Sequence, residues 1–219
     1  MKKKGFSILF IAMGDSVHTA RWLSQLHGTE FDIHLFSSTP CGYRIHPAIK
    51  NITMHGYFVP FPAHRDKNIT YYKSIPSFLG SKTEFLNRTL KFLYKRIHNL
   101  SNQDFTAERL LKTIISLKPE IIHILEMQHG GYLFDKIANA IPKSISYKLV
   151  YSQWGNDLFF FRNFDEDIPK IRSFISRCKY IFPKSKRDIE LANDFGFTGI
   201  YMPILPGNGG ICLSSIPYN

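Results

Sequence analysis

Apolar positions come in short blocks separated by polar, turn-forming segments, and the blocks alternate between two periods. Ser7-Ile8-Leu9-Phe10-Ile11-Ala12-Met13 is almost continuously apolar, which predicts a strand buried on both faces. Gly14-Asp15-Ser16 interrupts it, and Val17, Ala20 and Leu23, with Trp22 and Leu26 beside them, then follow helical spacing. Asp15 or Ser16 is placed to cap that helix.

The alternation continues along the chain. Residues 31–37 predict a second strand and 52–55 a short third. Residues 60–82, with Pro60, Pro62, Pro76 and Gly80, predict a long irregular excursion. Leu86, Leu90, Leu93 and Ile97 fall on one face of a helix over 84–98, opposite Arg88, Lys91 and Lys95. A helix over 104–117, with Thr106 as cap and Pro119 as stop, leads into a buried strand over 120–125. Gly130-Gly131 opens a helix to Ala140. Strands over 148–152, 180–182 and 199–202 alternate with helices over 167–177 and 185–195. Strands alternating with helices predict an α/β, Rossmann-like three-layer domain with a mostly parallel sheet over residues 1–203. Residues 204–219, with Pro206, Gly207, Gly209 and Gly210, read as a linker and tail.

Composition narrows the class. At 44% apolar residues, 219 positions suffice for a core. No apolar run reaches the roughly 18 residues of a membrane span, and Ile8 to Met13 is too short for a signal-peptide core. The expected location is therefore cytoplasmic. Cys41, Cys178 and Cys212 are widely spaced, which fits a reducing compartment and no metal-ligand spacing. The net charge of +11 is uneven, with +8 in residues 1–110 and +3 in the remainder. That imbalance points to an anionic partner. Residues 65–98 place eight Lys or Arg against Asp66 and Glu84 among six aromatics. They can lie on an anionic membrane surface through Arg88, Lys91 and Lys95, or form a solvated basic helix face. No nucleic-acid motif accompanies the charge.

Three polar clusters sit just after strands, where a parallel sheet places ligand chemistry. Gly14-Asp15-Ser16-Val17-His18-Thr19 has one glycine, so the three-glycine dinucleotide fingerprint is absent. Gly14 permits close approach of a ligand, and His18 sits one turn into the helix. The alternative is a turn glycine, a cap and a surface histidine. In Glu126-Met127-Gln128-His129-Gly130-Gly131, a carboxylate and an imidazole can orient hydroxyls or take a proton, or form a solvated loop that starts a helix. His123, inside the strand, reads as a packed or hydrogen-bonded core residue. Trp154-Gly155-Asn156-Asp157 offers an aromatic face and hydroxyl-binding groups to a sugar. The alternative there is a helix cap by Asn156 or Asp157 with Trp154 in the core.

In their order and spacing these segments resemble the N-terminal, acceptor-side domain of family 4 glycosyltransferases, which have the two-domain GT-B fold. Ile8 to Ile11 through Asp15-Ser16-Val17-His18-Thr19-Ala20-Arg21-Trp22 is similar to that family's first strand and helix. Pro119 to His123 resembles its middle strand, and Trp154-Gly155-Asn156-Asp157 resembles its Trp-Gly-Ser-Asp. Lys184-Ser185 resembles the start of its last N-domain helix, and 202–210 its run into the second domain. The resemblance implies one half of a retaining, nucleotide-sugar-dependent enzyme without a metal. Its acceptor would be a sugar or a lipid-linked glycan. Candidate catalytic residues are Glu126, His129 and Asp157. Candidate substrate-binding residues are Gly14, Asp15, Ser16, His18, Trp154, Gly155, Asn156 and Asp157. In that family the nucleotide sugar binds the second domain. The resemblance therefore implies that this chain binds no cofactor itself and needs a separate donor-binding domain for activity. A non-catalytic carbohydrate-binding module is the alternative.

Overall fold

The computed structural model describes residues 5–39, 45–55, 68–71, 96 and 102–205. They form one eight-stranded sheet in the order β4-β3-β2-β1-β5-β6-β7-β8. The strands are β1 (Ser7–Ala12), β2 (Asp32–Ser37), β3 (Ile52–His55), β4 (Ile69–Tyr71), β5 (Ile121–Leu125), β6 (Lys148–Ser152), β7 (Tyr180–Phe182) and β8 (Ile200–Tyr201). Every neighbouring pair is parallel, so the sheet is wholly and not merely mostly parallel. The domain is a Rossmann-like α/β sheet flanked by helices.

Strand β1 is central because it is apolar on both faces. Leu9 and Ile11 enter one core, while Ile8, Phe10 and Ala12 enter the other. The first core packs the sheet against α2 (Asn102–Leu117), α3 (Tyr132–Ala138), α4 (Ile168–Arg177) and α5 (Lys186–Asp194). The second packs it against α1 (Val17–Ser24), through Ala20 and Leu23. Burying Phe134, Phe174 and Tyr151 in the first core contributes on the order of 2–3 kcal/mol each.

The chain winds from β1 outward to β4, then returns across β1 to start again at β5. The connections leaving β1 and β5 therefore diverge, and the carboxyl ends of these two strands are where an open parallel sheet is expected to hold a ligand.

Several local expectations change. Ser16, not Asp15, caps α1: its hydroxyl accepts from the His18 N–H at 3.2 Å. His18 is the second residue of that helix, and Val17 is exposed, with Thr19 taking its place on the buried face. Strand β4 lies inside the stretch read as irregular. Thr106 is a buried interior residue of α2, which starts at Asn102. Before α3 the chain makes a wider π-type turn over Met127–Gly131, so the regular helix starts at Tyr132. The helix expected over 84–98 and the linker from Pro206 lie outside the described residues.

Candidate functional site

Four loops leave the carboxyl ends of β1, β5, β6 and β7, and the structure brings them together. The His18 ring meets the Trp154 ring edge to face, with centroids 5.3 Å apart. Gln128 Nε2 donates to the Asp157 carbonyl at 3.2 Å. Glu126 N–H donates to the Ser152 carbonyl at 3.3 Å. Trp22 of α1 packs edge-on against Phe182 at the end of β7, at 5.7 Å. The three clusters read from the sequence thus border one edge of the sheet.

Glu126 is the most constrained residue of the group. It is buried, with a φ of 71° and a ψ of 152°, a conformation that costs a non-glycine residue on the order of 1–3 kcal/mol. The bend turns its carboxylate back onto the following turn. There it accepts from the His129 N–H at 3.0 Å and the Gly130 N–H at 2.6 Å. The same carboxylate lies 3.3 Å from His129 Nδ1. That hydrogen bond raises the His129 pKa above the usual imidazole range, outweighing the opposing effect of burial. The His129 side chain itself is 54% exposed. With Nδ1 on Glu126, Nε2 is the nitrogen left to exchange a proton with a ligand. Gly130 makes this turn possible. A Cβ there would stand 3.0 Å from the Ile11 carbonyl oxygen and 3.1 Å from Ile124 Cγ2.

Asp157 is 3% exposed, so it is not an open contact for a sugar. Its Oδ2 accepts from the Tyr151 hydroxyl at 2.6 Å and from the Trp154 N–H at 2.7 Å. Burial pushes its pKa up to about 7, against those two hydrogen bonds, which favour the carboxylate. Asp157 therefore fixes the loop that presents Trp154. The exposed polar side chain there is Asn156, while Gly155 is half-buried and has open space where a Cβ would stand. Asp15 is exposed and Gly14 buried at the opposite lip.

His123 packs among Phe10, Trp22 and Phe182, with ring centroids 4.9, 5.2 and 5.9 Å away. Its Nε2 shares a hydrogen bond with Ser152 Oγ at 2.8 Å. Burial lowers its pKa to about 3, so it is a neutral core residue.

Two site residues were not singled out from the sequence for their chemistry. Lys184 follows β7, and its charge acts on both His18 and Asp157. Arg187, on the first turn of α5, lies over the Phe159 ring at 4.1 Å and reaches the Gly155 carbonyl at 3.4 Å. Lys184 entered the sequence reading only as part of the resemblance at the start of that helix, and Arg187 not at all. Among the described residues there is no group of three or more metal-ligating side chains and no helix long and apolar enough to cross a membrane. Arg88, Lys91 and Lys95, the candidate membrane contacts, lie outside the described residues. No protein-family model matches the chain, and no curated protein matches it.

Proposed function

We propose that this chain is the acceptor-side domain of a retaining glycosyltransferase similar to family 4, binding a sugar or lipid-linked glycan at the carboxyl edge of the sheet. The nucleotide-sugar donor would bind a separate domain facing the same edge. The observation that carries this reading is the contact of His18 with Trp154 at the carboxyl edge of β1 and β6. It sets an aromatic face beside polar groups from three other loops, the combination that sugar rings require. Glu126 and His129 supply a held imidazole able to transfer a proton. Asp157, whose carboxylate is engaged by the Tyr151 hydroxyl of β6 and the Trp154 N–H, supports this site and does not act in it.

Binding to an immobilised glycan panel tests the reading. The chain should retain a subset of glycans, and Trp154→Ala should weaken that binding by about tenfold while the protein stays folded. Glycan binding that is indifferent to Trp154 would sink it. A carbohydrate-binding module is the second reading, favoured by the burial of two of the three candidate catalytic groups, Glu126 and Asp157. Transfer from a nucleotide sugar that falls with His129→Gln decides for the enzyme, and glycan binding without transfer decides for the module. An anionic membrane surface beneath Arg88, Lys91 and Lys95 would suit a lipid-linked acceptor, and vesicle co-sedimentation tests it.

A further inference from the structure

We propose that a second copy of this chain docks on the aromatic surface formed by Phe159, Phe160 and Phe164, in a two-fold contact that sets Arg162 of each copy against Asp165 and Glu166 of the other. The inference does not depend on the glycan reading above.

The surface follows the Trp154 loop directly. Five of the seven residues from Leu158 to Phe164 are apolar. Leu158 is buried, and Phe161 packs half-buried against the first core. The other three face solvent, with Phe159 41%, Phe160 50% and Phe164 40% exposed. Single exposed apolar residues are ordinary on a protein surface, whereas a cluster of them marks an interaction site. The Phe160 ring meets those of Phe161 and Phe164, with centroids 5.3 and 5.2 Å apart. The patch is also held in shape. A short 3-10 turn over Phe161–Asn163 carries it, and Asn163 Nδ2 donates to the Phe160 carbonyl at 2.8 Å. A surface already in shape loses little freedom when a partner arrives.

The charges beside the patch select the occupant. The guanidiniums of Arg162 and Arg187 both lie over the Phe159 ring, 5.1 and 4.1 Å from its centroid. Asp188 matches Arg187 at 3.1 Å, and Lys170 matches Asp167 at 3.2 Å. Among the described residues, no carboxylate pairs with Arg162, and no cation pairs with Asp165 or Glu166. Asp165 and Glu166 follow Arg162 by three and four positions, spacings that meet on a continuous helix. Here the 3-10 turn ends at Asn163 and α4 starts at Ile168, so the helix is interrupted between them. All three side chains are exposed.

The patch therefore carries unmatched charge of both signs. An anionic membrane would attract Arg162 but repel Asp165 and Glu166. A two-fold contact satisfies both signs at once, because each copy presents the same surface to the other. Aromatic residues and arginine are also the types enriched where two proteins meet. A standard interface buries about 800 Å² on each partner, and the three exposed rings offer roughly 200–300 Å². They form the centre of a small, reversible contact. Arg187 also reaches the Gly155 carbonyl at 3.4 Å, so the second copy would sit beside the Trp154 loop.

Sedimentation equilibrium of the 219-residue chain tests this. The chain should pass from monomer to dimer between about 1 and 200 μM. Phe160→Ser should weaken association at least ~10-fold, with the circular dichroism spectrum unchanged. Arg162→Glu should weaken it by roughly 5- to 10-fold, and so should Asp165→Lys combined with Glu166→Lys. An equimolar mixture of the arginine variant and the double variant should dimerise at least as well as wild type, because each then offers the charge that the other lacks. A monomer at every concentration overturns the proposal. So does association indifferent to Phe160, or a mixture no more associated than its two components. Vesicles of phosphatidylcholine and phosphatidylserine provide a control. A chain that stays monomeric in solution, yet sediments with them and loses that binding in Phe160→Ser, assigns the patch to a lipid surface and overturns the second copy.

Discussion

Three buried groups set the pH dependence of stability, two histidines pulling one way and an aspartate the other. The His123 pKa is lowered to about 3 by burial, against roughly 6.5 in the unfolded chain. Between those values the unfolded state binds more protons, so stability rises with pH and is fully present above ~6.5. His55 adds to this, lowered to about 4 by burial first and then by the charge of His34. The Asp157 pKa is raised to about 7, so there the folded state binds the extra proton. Its contribution is present below ~4 and is lost as pH rises toward 7. The two histidine terms act in the same direction and together outweigh the aspartate's, which offsets only part of them. We therefore expect wild-type urea midpoints to rise between pH 4 and 6.5, and those of Asp157→Asn to climb more steeply over that range. Replacing both hydrogen-bonding partners, His123→Phe with Ser152→Ala, should flatten the acid side, because neither group is then left unpaired. Parallel pH profiles for wild type and Asp157→Asn would show that this carboxyl does not titrate where its burial places it.

At the scale of elements, the turn from β5 into α3 is the tightest junction of the site. Gly130 lies where an added methyl would press on the backbone carbonyl of Ile11, which belongs to the central strand and cannot move alone. Gly130→Ala should cost on the order of 1–3 kcal/mol. Gly155→Ala, with nothing within 4 Å, should stay within about 0.5 kcal/mol. Chemical denaturation of the two variants checks the contrast. This junction also shows what a sequence discloses. The glycine pair announced that a helix begins there, because no other residue fits so close to a strand. It did not disclose the π-type turn or the bend at Glu126, which arise only when the carboxylate finds the N–H groups of His129 and Gly130. The strands on either side were legible because each is a dense apolar block; β3, β6 and β7 fall on the expected residues. Strand β4 was hidden because three residues among prolines carry no periodicity. Asp157 looked like a ligand contact because its burial and its bond to Tyr151 depend on packing that no local pattern encodes.

At the scale of the whole molecule, the sheet divides the interior into two cores that share β1 and β5. Ile11 and Ile124 enter one, and Phe10 and Leu125 the other. Neither core can be lost while the other keeps both faces of those strands dry, so the two should melt together. The tryptophans offer a direct test. The chain contains two, Trp22 and Trp154, and both pack against the α1-side core. Their fluorescence reports that core, whereas among the described residues most of the helix that far-ultraviolet circular dichroism reads lies on the opposite face. In urea the two signals should trace one transition with one midpoint. Leu23→Ala on the α1 side and Phe134→Ala on the other should shift both signals equally, by about 2–5 kcal/mol each. Fluorescence that moves ahead of dichroism in Leu23→Ala would mean that the α1 layer unfolds by itself. The site would then be held by a layer that opens on its own, because His18 and Arg21 ride on that helix while Glu126 and His129 follow β5. Coincident transitions mean that the geometry joining His18 to Trp154 is as stable as the sheet, so a ligand meets a preformed site.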